Sequence, residues 1–108
     1  MGLLPTGVYR ATVQYAELHT KLDREYIKFE LDLGGGSHIW YIGVVGTPSY
    51  DFAVAALGLE GFATTGPGTV AVLAQGKKVR AYVLVRNTPE RDPTNVVAHL
   101  RKEEINDS

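Results

Sequence analysis

The fold is decided by residues 24–45, which read Arg24-Glu-Tyr-Ile-Lys-Phe-Glu-Leu-Asp-Leu33, then Gly34-Gly-Gly-Ser37, then His38-Ile-Trp-Tyr-Ile-Gly-Val-Val45. Polar or aromatic residues alternate with apolar ones from Tyr26 to Leu33, and this period of two is typical of a strand with one buried face. The three glycines adopt positive φ at little steric cost, so they let the chain reverse. The β-branched and aromatic run that follows predicts the returning strand. The stretch therefore predicts a long β-hairpin.

The register of this hairpin determines which aromatic side chains face outward. If Gly34 to Ser37 form a four-residue loop, Trp40 lies on the buried face, while Tyr41 shares the outer face with Tyr26 and Lys28. A loop one residue longer or shorter inverts every side chain, which exposes Trp40 and buries Tyr41. We favour the four-residue loop because it buries the larger apolar set.

Length and composition indicate a single domain. The chain has 108 residues and no cysteine. A domain of this length can bury a core without metal or disulfides. The absence of cysteine excludes a disulfide framework, a thiolate zinc site and a cysteine nucleophile, and suits a reducing compartment. We expect one domain over residues 1–102 and a short acidic tail over residues 103–108. No apolar run approaches the length of a membrane span, so we expect a cytoplasmic protein with no membrane partner.

The charges are segregated along the chain. Residues 1–76 hold four basic and seven acidic side chains, whereas residues 77–102 hold seven basic and two acidic ones. Residues 103–108 add three acidic side chains. Segregation of this kind favours a polyanionic partner, and an ordinary solvated surface is the alternative.

Outside the hairpin the sequence predicts three further strands and one helix. Thr47 is suited to cap the helix and Pro48 to occupy its first position, since proline lacks only an N–H that would have no partner there. Gly58 is suited to end it. The segment from Leu59 to Gly76 is interpreted as mostly loop, in which residues 69–74 form a helical turn or a short strand. The predicted elements are the strands Val8–Leu18, Lys78–Arg86 and Val96–Leu100 and the helix Pro48–Leu57, with polar loops over residues 19–23 and 87–95 and a frayed end after residue 100.

This order of elements indicates a mainly β fold. Three strands, a helix and two strands match a five-stranded OB-fold-like barrel with one short helix between strands 3 and 4. A different five-stranded barrel or an open α+β sheet fits the same order.

Three segments carry a family resemblance: Gly7-Val-Tyr-Arg-Ala-Thr-Val13, Tyr26-Ile-Lys-Phe-Glu-Leu31 and Gly76-Lys-Lys-Val-Arg-Ala-Tyr-Val83. With them the chain resembles the small OB-fold single-stranded DNA-binding proteins of bacteriophages, over most of its length and without a diagnostic motif. The resemblance implies a protein of phage DNA replication or recombination, working in the cytoplasm of a bacterial host.

Proteins of this kind hold an unpaired strand with a basic groove and with aromatic rings, on which each stacked base contributes about 1–3 kcal/mol. In an OB-fold the second and third strands form the centre of the surface, so Tyr26, Lys28 and Tyr41 are expected there. Trp40 belongs to the core in the favoured register and stacks on bases in the other. The candidate binding residues are Arg10, Arg24, Tyr26, Lys28, Trp40, Tyr41, Lys78, Arg80, Tyr82, Arg86 and Arg91. Glu30 and Asp32 oppose this assignment, because carboxylates repel phosphates.

The sequence argues against catalysis. His19, His38 and His99 are scattered, and no motif suggests a metal site, a phosphate loop or a nucleophile elbow. We therefore expect no enzyme activity, no catalytic residue, no cofactor, no metal and no small-molecule substrate. The expected partner is single-stranded DNA bound with little sequence preference, with RNA left open, and exposed edge strands favour a homo-oligomer. The alternative function is a small β-barrel module that binds protein, as a virion or assembly component or as an inhibitor of a host protein.

Overall fold

A computed structural model of the protein describes residues 3–103, apart from the side chains of residues 63 and 64. These residues form a mainly β structure in which three strands are followed by two short helices with a 3₁₀ turn between them, and then by two further strands. The predicted boundary of the acidic tail falls at the edge of this part, since residues 104–108 lie outside it. The elements are β1 Gly7–Lys21, β2 Arg24–Gly34, β3 Ser37–Val44, α1 Pro48–Ala56, the 3₁₀ turn Glu60–Thr65, α2 Pro67–Ala74, β4 Lys78–Thr88 and β5 Arg91–Lys102.

The five strands make one antiparallel sheet in the order β3-β2-β1-β4-β5. The first half of β1 pairs with β4 and the second half with β2, with a bulge between Val13 and Tyr15. Four antiparallel steps separate β3 from β5, so these two edge strands run in the same direction. Some of their Cα atoms approach within 8 Å, but no ladder joins them. The sheet therefore stays open along a seam between β3 and β5.

The favoured register of the central hairpin was wrong. The chain reverses through Gly35 and Gly36, both with positive φ, as in the two-residue turns that match strand twist. A bulge at Leu33 takes up the odd residue, and Glu30 then lies opposite Trp40. Because a shift of one residue inverts every side chain, Trp40 is 45% exposed and Tyr41 only 7%. A two-residue turn buries Tyr41 where a four-residue loop would have buried Trp40.

The inner face of the sheet forms the core with the helices. Ile27, Phe29 and Leu31 are fully buried at its centre, and the ring of Tyr41 lies 6.1 Å from that of Phe29. Helix α1 packs close to β3 at Gly43, where an added Cβ would lie 3.2 Å from the Tyr50 Cα. Glycine at this position therefore lets the helix cover the inner face.

Several predicted strands were too short, and one helix was not predicted. Residues 19–21 continue β1 to a two-residue turn at Leu22 and Asp23, both of which have positive φ, and β2 begins directly after that turn. The loop predicted over residues 87–95 shrinks to a turn, and Pro93 lies within β5. Proline is tolerated there because β5 is an edge strand whose outer N–H groups make no ladder bond. The segment interpreted as loop contains α2, so two helices stand where one was predicted.

Neither α1 nor α2, the helices of the described part, has the length and apolar character needed to cross a bilayer.

Candidate nucleic-acid interface

Three arginines lie side by side on the outer face of β1, β4 and β5. Arg10 is directly opposite Arg80, and Arg80 is directly opposite Arg101, so their side chains leave the same face of the sheet. Val79 and Ala81, which flank Arg80 along β4, point inward and are fully buried. We call Arg10, Arg80 and Arg101 the arginine row. Since like charges directly opposite one another repel, the row is costly for folding and favourable for an anion.

A row of rings runs alongside the arginine row. Tyr82 follows Arg80 by two residues, His99 precedes Arg101 by two, and the two residues are directly opposite each other. Two residues along a strand span about 6.6 Å, so rings and cations form parallel lines. The ring of Phe52, on α1, meets His99 edge-on with centroids 5.0 Å apart. Tyr82, His99 and Phe52 form what we call the aromatic row, in which Tyr82 and Phe52 are 38% and 48% exposed.

Glu103 lies against the arginine row. Its Oε1 atom is 3.5 Å from Nε of Arg10 and 3.7 Å from Nε of Arg80. The Glu103 side chain is mostly covered, whereas that of Arg10 is mostly exposed. Nε of Arg80 is buried without a hydrogen-bond partner in the described part. The Glu103 carboxylate therefore neutralises part of the charge of the arginine row, close to Lys78. It leaves Nε of Arg80 without a hydrogen bond among the described residues.

The other half of the outer face is more acidic. On the middle of β1, β2 and β3, the charged residues are the carboxylates Glu17, Glu30 and Asp32 and the single cation Lys28, within the part of the chain that the structure describes. Glu30 accepts a contact of 3.3 Å from Nδ1 of His38. The surface on which an OB-fold would centre its ligand is thus poorly suited to phosphates.

Trp40 and Lys28 are the exceptions on this half. Nζ of Lys28 lies 4.2 Å from the centroid of the Trp40 ring, a cation–π geometry. Lys28 stands on β2 and so approaches Trp40 from the side away from the seam. Trp40 also lines an open groove between β3 and β5.

Tyr26 is engaged by its own neighbours. It stacks on His19 at 5.2 Å with an interplanar angle of 13°. Nε2 of His19 lies 2.7 Å from Oε1 of Glu17, and the hydroxyl of Tyr15 donates to Oε2 of Glu17 at 2.8 Å. That hydrogen bond, followed by the charge of Glu17, raises the pKa of Tyr15. These contacts hold Tyr26 as a half-buried ring beside a carboxylate, so the ring is poorly suited to stack on a base.

Tyr41 was expected at the centre of the outer face and is instead part of the core. Its hydroxyl donates to the Ser49 carbonyl at 2.7 Å, and burial raises its pKa. Burial, followed by the charges of Asp51 and Glu25, also raises the pKa of Tyr50. Tyr41 therefore has no surface on which a base could stack.

Two grooves meet at Phe52. The first, which we call the seam groove, has a volume of about 690 Å³ and separates β3 from β5; its lining includes Leu4, Trp40, Ile42, Phe52, Val96 and Ala98. The second, which we call the basic groove, has a volume of about 550 Å³, and its lining includes Phe52, Arg80, His99, Arg101 and Lys102. A path of apolar and aromatic side chains thus leads from the arginine row across the seam.

The predicted site residues fall into separate groups. Arg10, Arg80 and Tyr82 come together with Lys78 beside them. Lys28 and Trp40 lie across the seam. Arg24 is exposed at the tip of the β1–β2 hairpin, Arg86 and Arg91 are exposed at the β4–β5 turn, and neither region lines the two grooves.

Sequence reasoning missed Phe52, His99 and Arg101. Phe52 lies within the predicted helix Pro48–Leu57, and Arg101 lies in the predicted frayed end after residue 100. The one signal that pointed to Arg101 was the excess of basic charge over residues 77–102. Nothing in the local sequence indicates that α1 would direct Phe52 toward β5.

No three potential metal-ligating side chains gather into a group within residues 3–103. In comparisons with known proteins, no family model matches the chain and no curated protein matches its sequence.

Proposed function

We propose that the protein binds single-stranded DNA with little sequence preference, by neutralising phosphates and stacking bases, in phage DNA replication or recombination. The observation that carries the proposal is the arginine row lying parallel to Tyr82 and His99 on the outer face of the sheet, with Phe52 of α1 in edge contact with His99. Unpaired strands need both features together, a line of cations for the backbone and rings that accept any base.

The fold supports the proposal. An OB-fold is a five-stranded, partly open barrel, and the open sheet brings its two edges within 8 Å of each other. The proposed ligand surface differs from the one expected, because it is centred on β4, β5 and α1 rather than on β2 and β3. The cytoplasm of a host cell is the proposed location, and pairing of the free β3 and β5 edges is the proposed route to a homo-oligomer.

A binding titration tests the proposal. Fluorescein-labelled oligo-dT is titrated with the protein at about 50 and 200 mM salt and followed by anisotropy, since backbone neutralisation makes affinity fall steeply with salt. Replacing Arg80 and Arg101 with glutamine should weaken binding and lower the slope of log affinity against log salt by about 0.7 per charge removed.

Lys21→Gln is the matched control. Lys21 is an exposed cation at the tip of the β1–β2 hairpin, eleven residues from Arg10, or roughly 36 Å along an extended strand. Its removal should leave affinity unchanged. Affinity that does not depend on salt, or that falls equally in the Arg80 and Arg101 double variant and in Lys21→Gln, would contradict a role of the arginine row in binding.

Binding of protein by the apolar seam groove is the second candidate function, because Trp40, Ile42 and Phe52 are each more than 40% exposed around it. A protein that fails to bind oligo-dT at low salt would favour this candidate.

A further inference from the structure

We infer that the seam groove is a second subsite of the same interface, which takes unpaired bases from a strand whose phosphates lie over the arginine row. This inference rests on the proposed function and goes beyond it by assigning roles to Trp40 and Phe52. It places the strand across β5 and the seam, rather than along β2 and β3.

The lining of the seam groove fits bases better than it fits phosphates. The side chains of Ile42, Val96 and Ala98 supply apolar walls, and the exposed rings of Trp40 and Phe52 stand at its sides. Aromatic faces bind bases of any sequence. The volume of about 690 Å³ lies in the range of sites that enclose small organic groups, about 300–1,000 Å³.

Trp40 is positioned as a stacking platform. Nζ of Lys28, on β2, lies over the indole ring at 4.2 Å from its centroid, so one face of the ring is covered, and Trp40 lines the groove. A cation behind an indole ring also orders its side chain before a ligand arrives.

Phe52 connects the two grooves. It is the one residue that the two linings share within the described part of the chain, and it is 48% exposed. Its edge contact with His99 fixes the ring at 5.0 Å, at the end of the aromatic row. A strand held on the arginine row therefore meets Phe52 before it enters the seam groove.

Leu4 forms one wall of the seam groove, and Asn95 holds it there. Asn95 accepts a hydrogen bond from the Leu4 N–H at 2.8 Å and donates one to the Leu4 carbonyl at 2.9 Å. This pair of bonds holds Leu4 in place as a wall of the groove.

The test uses two signals from one titration of the full chain. Anisotropy of a labelled oligo-dT reports binding anywhere, and emission from Trp40, the only tryptophan, reports occupancy of the seam groove. An oligonucleotide of about 16 residues, the upper end of site sizes for such folds, should raise the anisotropy and quench the emission together.

Phe52→Ala is the deciding variant, with Phe62→Ala as its control. Phe62 is 44% exposed on the 3₁₀ turn and lines neither groove. Phe52→Ala should weaken binding about tenfold, the loss of one stacked base, and reduce the quenching at saturation. Phe62→Ala should change neither.

The two possible failures are distinguishable. Binding without quenching, or wild-type affinity for Phe52→Ala, would overturn the seam subsite and remove Phe52 from the interface, while leaving the proposed function on the arginine row, Tyr82 and His99. Absence of binding at low salt would overturn the proposed function, and the subsite with it.

Discussion

Two isoleucines on β3 test the register that exposes Trp40. Ile39 is 8% exposed on the inner face, and Ile42 is 41% exposed on the outer face. The four-residue loop favoured by the sequence would reverse their positions. Ile39→Ala and Ile42→Ala delete the same atoms from the same strand, so losses of intrinsic strand propensity largely cancel between them.

The expected difference follows from burial. Removing three carbons from a fully covered site costs about 2.4 kcal/mol at about 0.8 kcal/mol per carbon. Ile39 is almost fully covered, and its loss also leaves a cavity, so Ile39→Ala should cost about 3 kcal/mol. Ile42 borders open solvent, where no closed cavity forms, and its covered fraction gives about 1.4 kcal/mol. The two variants should therefore differ by about 1.5 kcal/mol in free energy of unfolding.

Urea denaturation of both variants measures this difference, provided that their m-values agree with that of the wild type. Equal costs, or a larger cost for Ile42→Ala, would mean that Trp40 faces the core. The seam subsite would then have no stacking ring on β3.

Three further predictions concern other parts of the structure. Gly43→Ala should cost about 1–3 kcal/mol, because its new Cβ would press on the Tyr50 backbone, whereas Gly61→Ala, which meets open space, should cost far less in the same urea melts. Tyr41→Phe should reduce the loss of stability on the alkaline side: burial raises the pKa of Tyr41 above its ordinary 10.0, so as the pH rises through that value the unfolded chain ionises before the folded one and stability falls. Unfolding free energies at about pH 9 and pH 11 measure it, and an unchanged slope would show that Tyr41 is not buried. Glu103→Gln should tighten oligo-dT binding about threefold by freeing Arg10 and Arg80, and weaker binding would mean that Glu103 positions the arginine row rather than neutralising it.

The strand content of the fold was predictable from residue pattern. The alternation from Tyr26 to Leu33 located β2, and the glycines located its turn. The turn length was not predictable, because Gly34, Gly35 and Gly36 all tolerate positive φ and the sequence does not say which of them leaves the ladder. That ambiguity of one residue decided the positions of Trp40 and Tyr41.

Local sequence also gave half of the candidate site. Arg10, Arg80 and Tyr82 alternate with apolar or aromatic residues, which assigned them to an outer face. Their grouping with Arg101, His99 and Phe52 depends on which strands become neighbours and on where α1 packs. Both are tertiary outcomes, and a strand as short as the predicted Val96–Leu100 excludes Arg101 from any face.

Photo-cross-linking of a bound oligonucleotide tests the central claim most directly. An oligo-dT carrying 5-iododeoxyuridine joins covalently to nearby aromatic side chains, and mass spectrometry of the digested complex identifies them. We predict adducts on Tyr82, His99 and Phe52, beside the arginine row. Adducts confined to Tyr15 and Tyr26, on the acidic half of the sheet, would contradict the account.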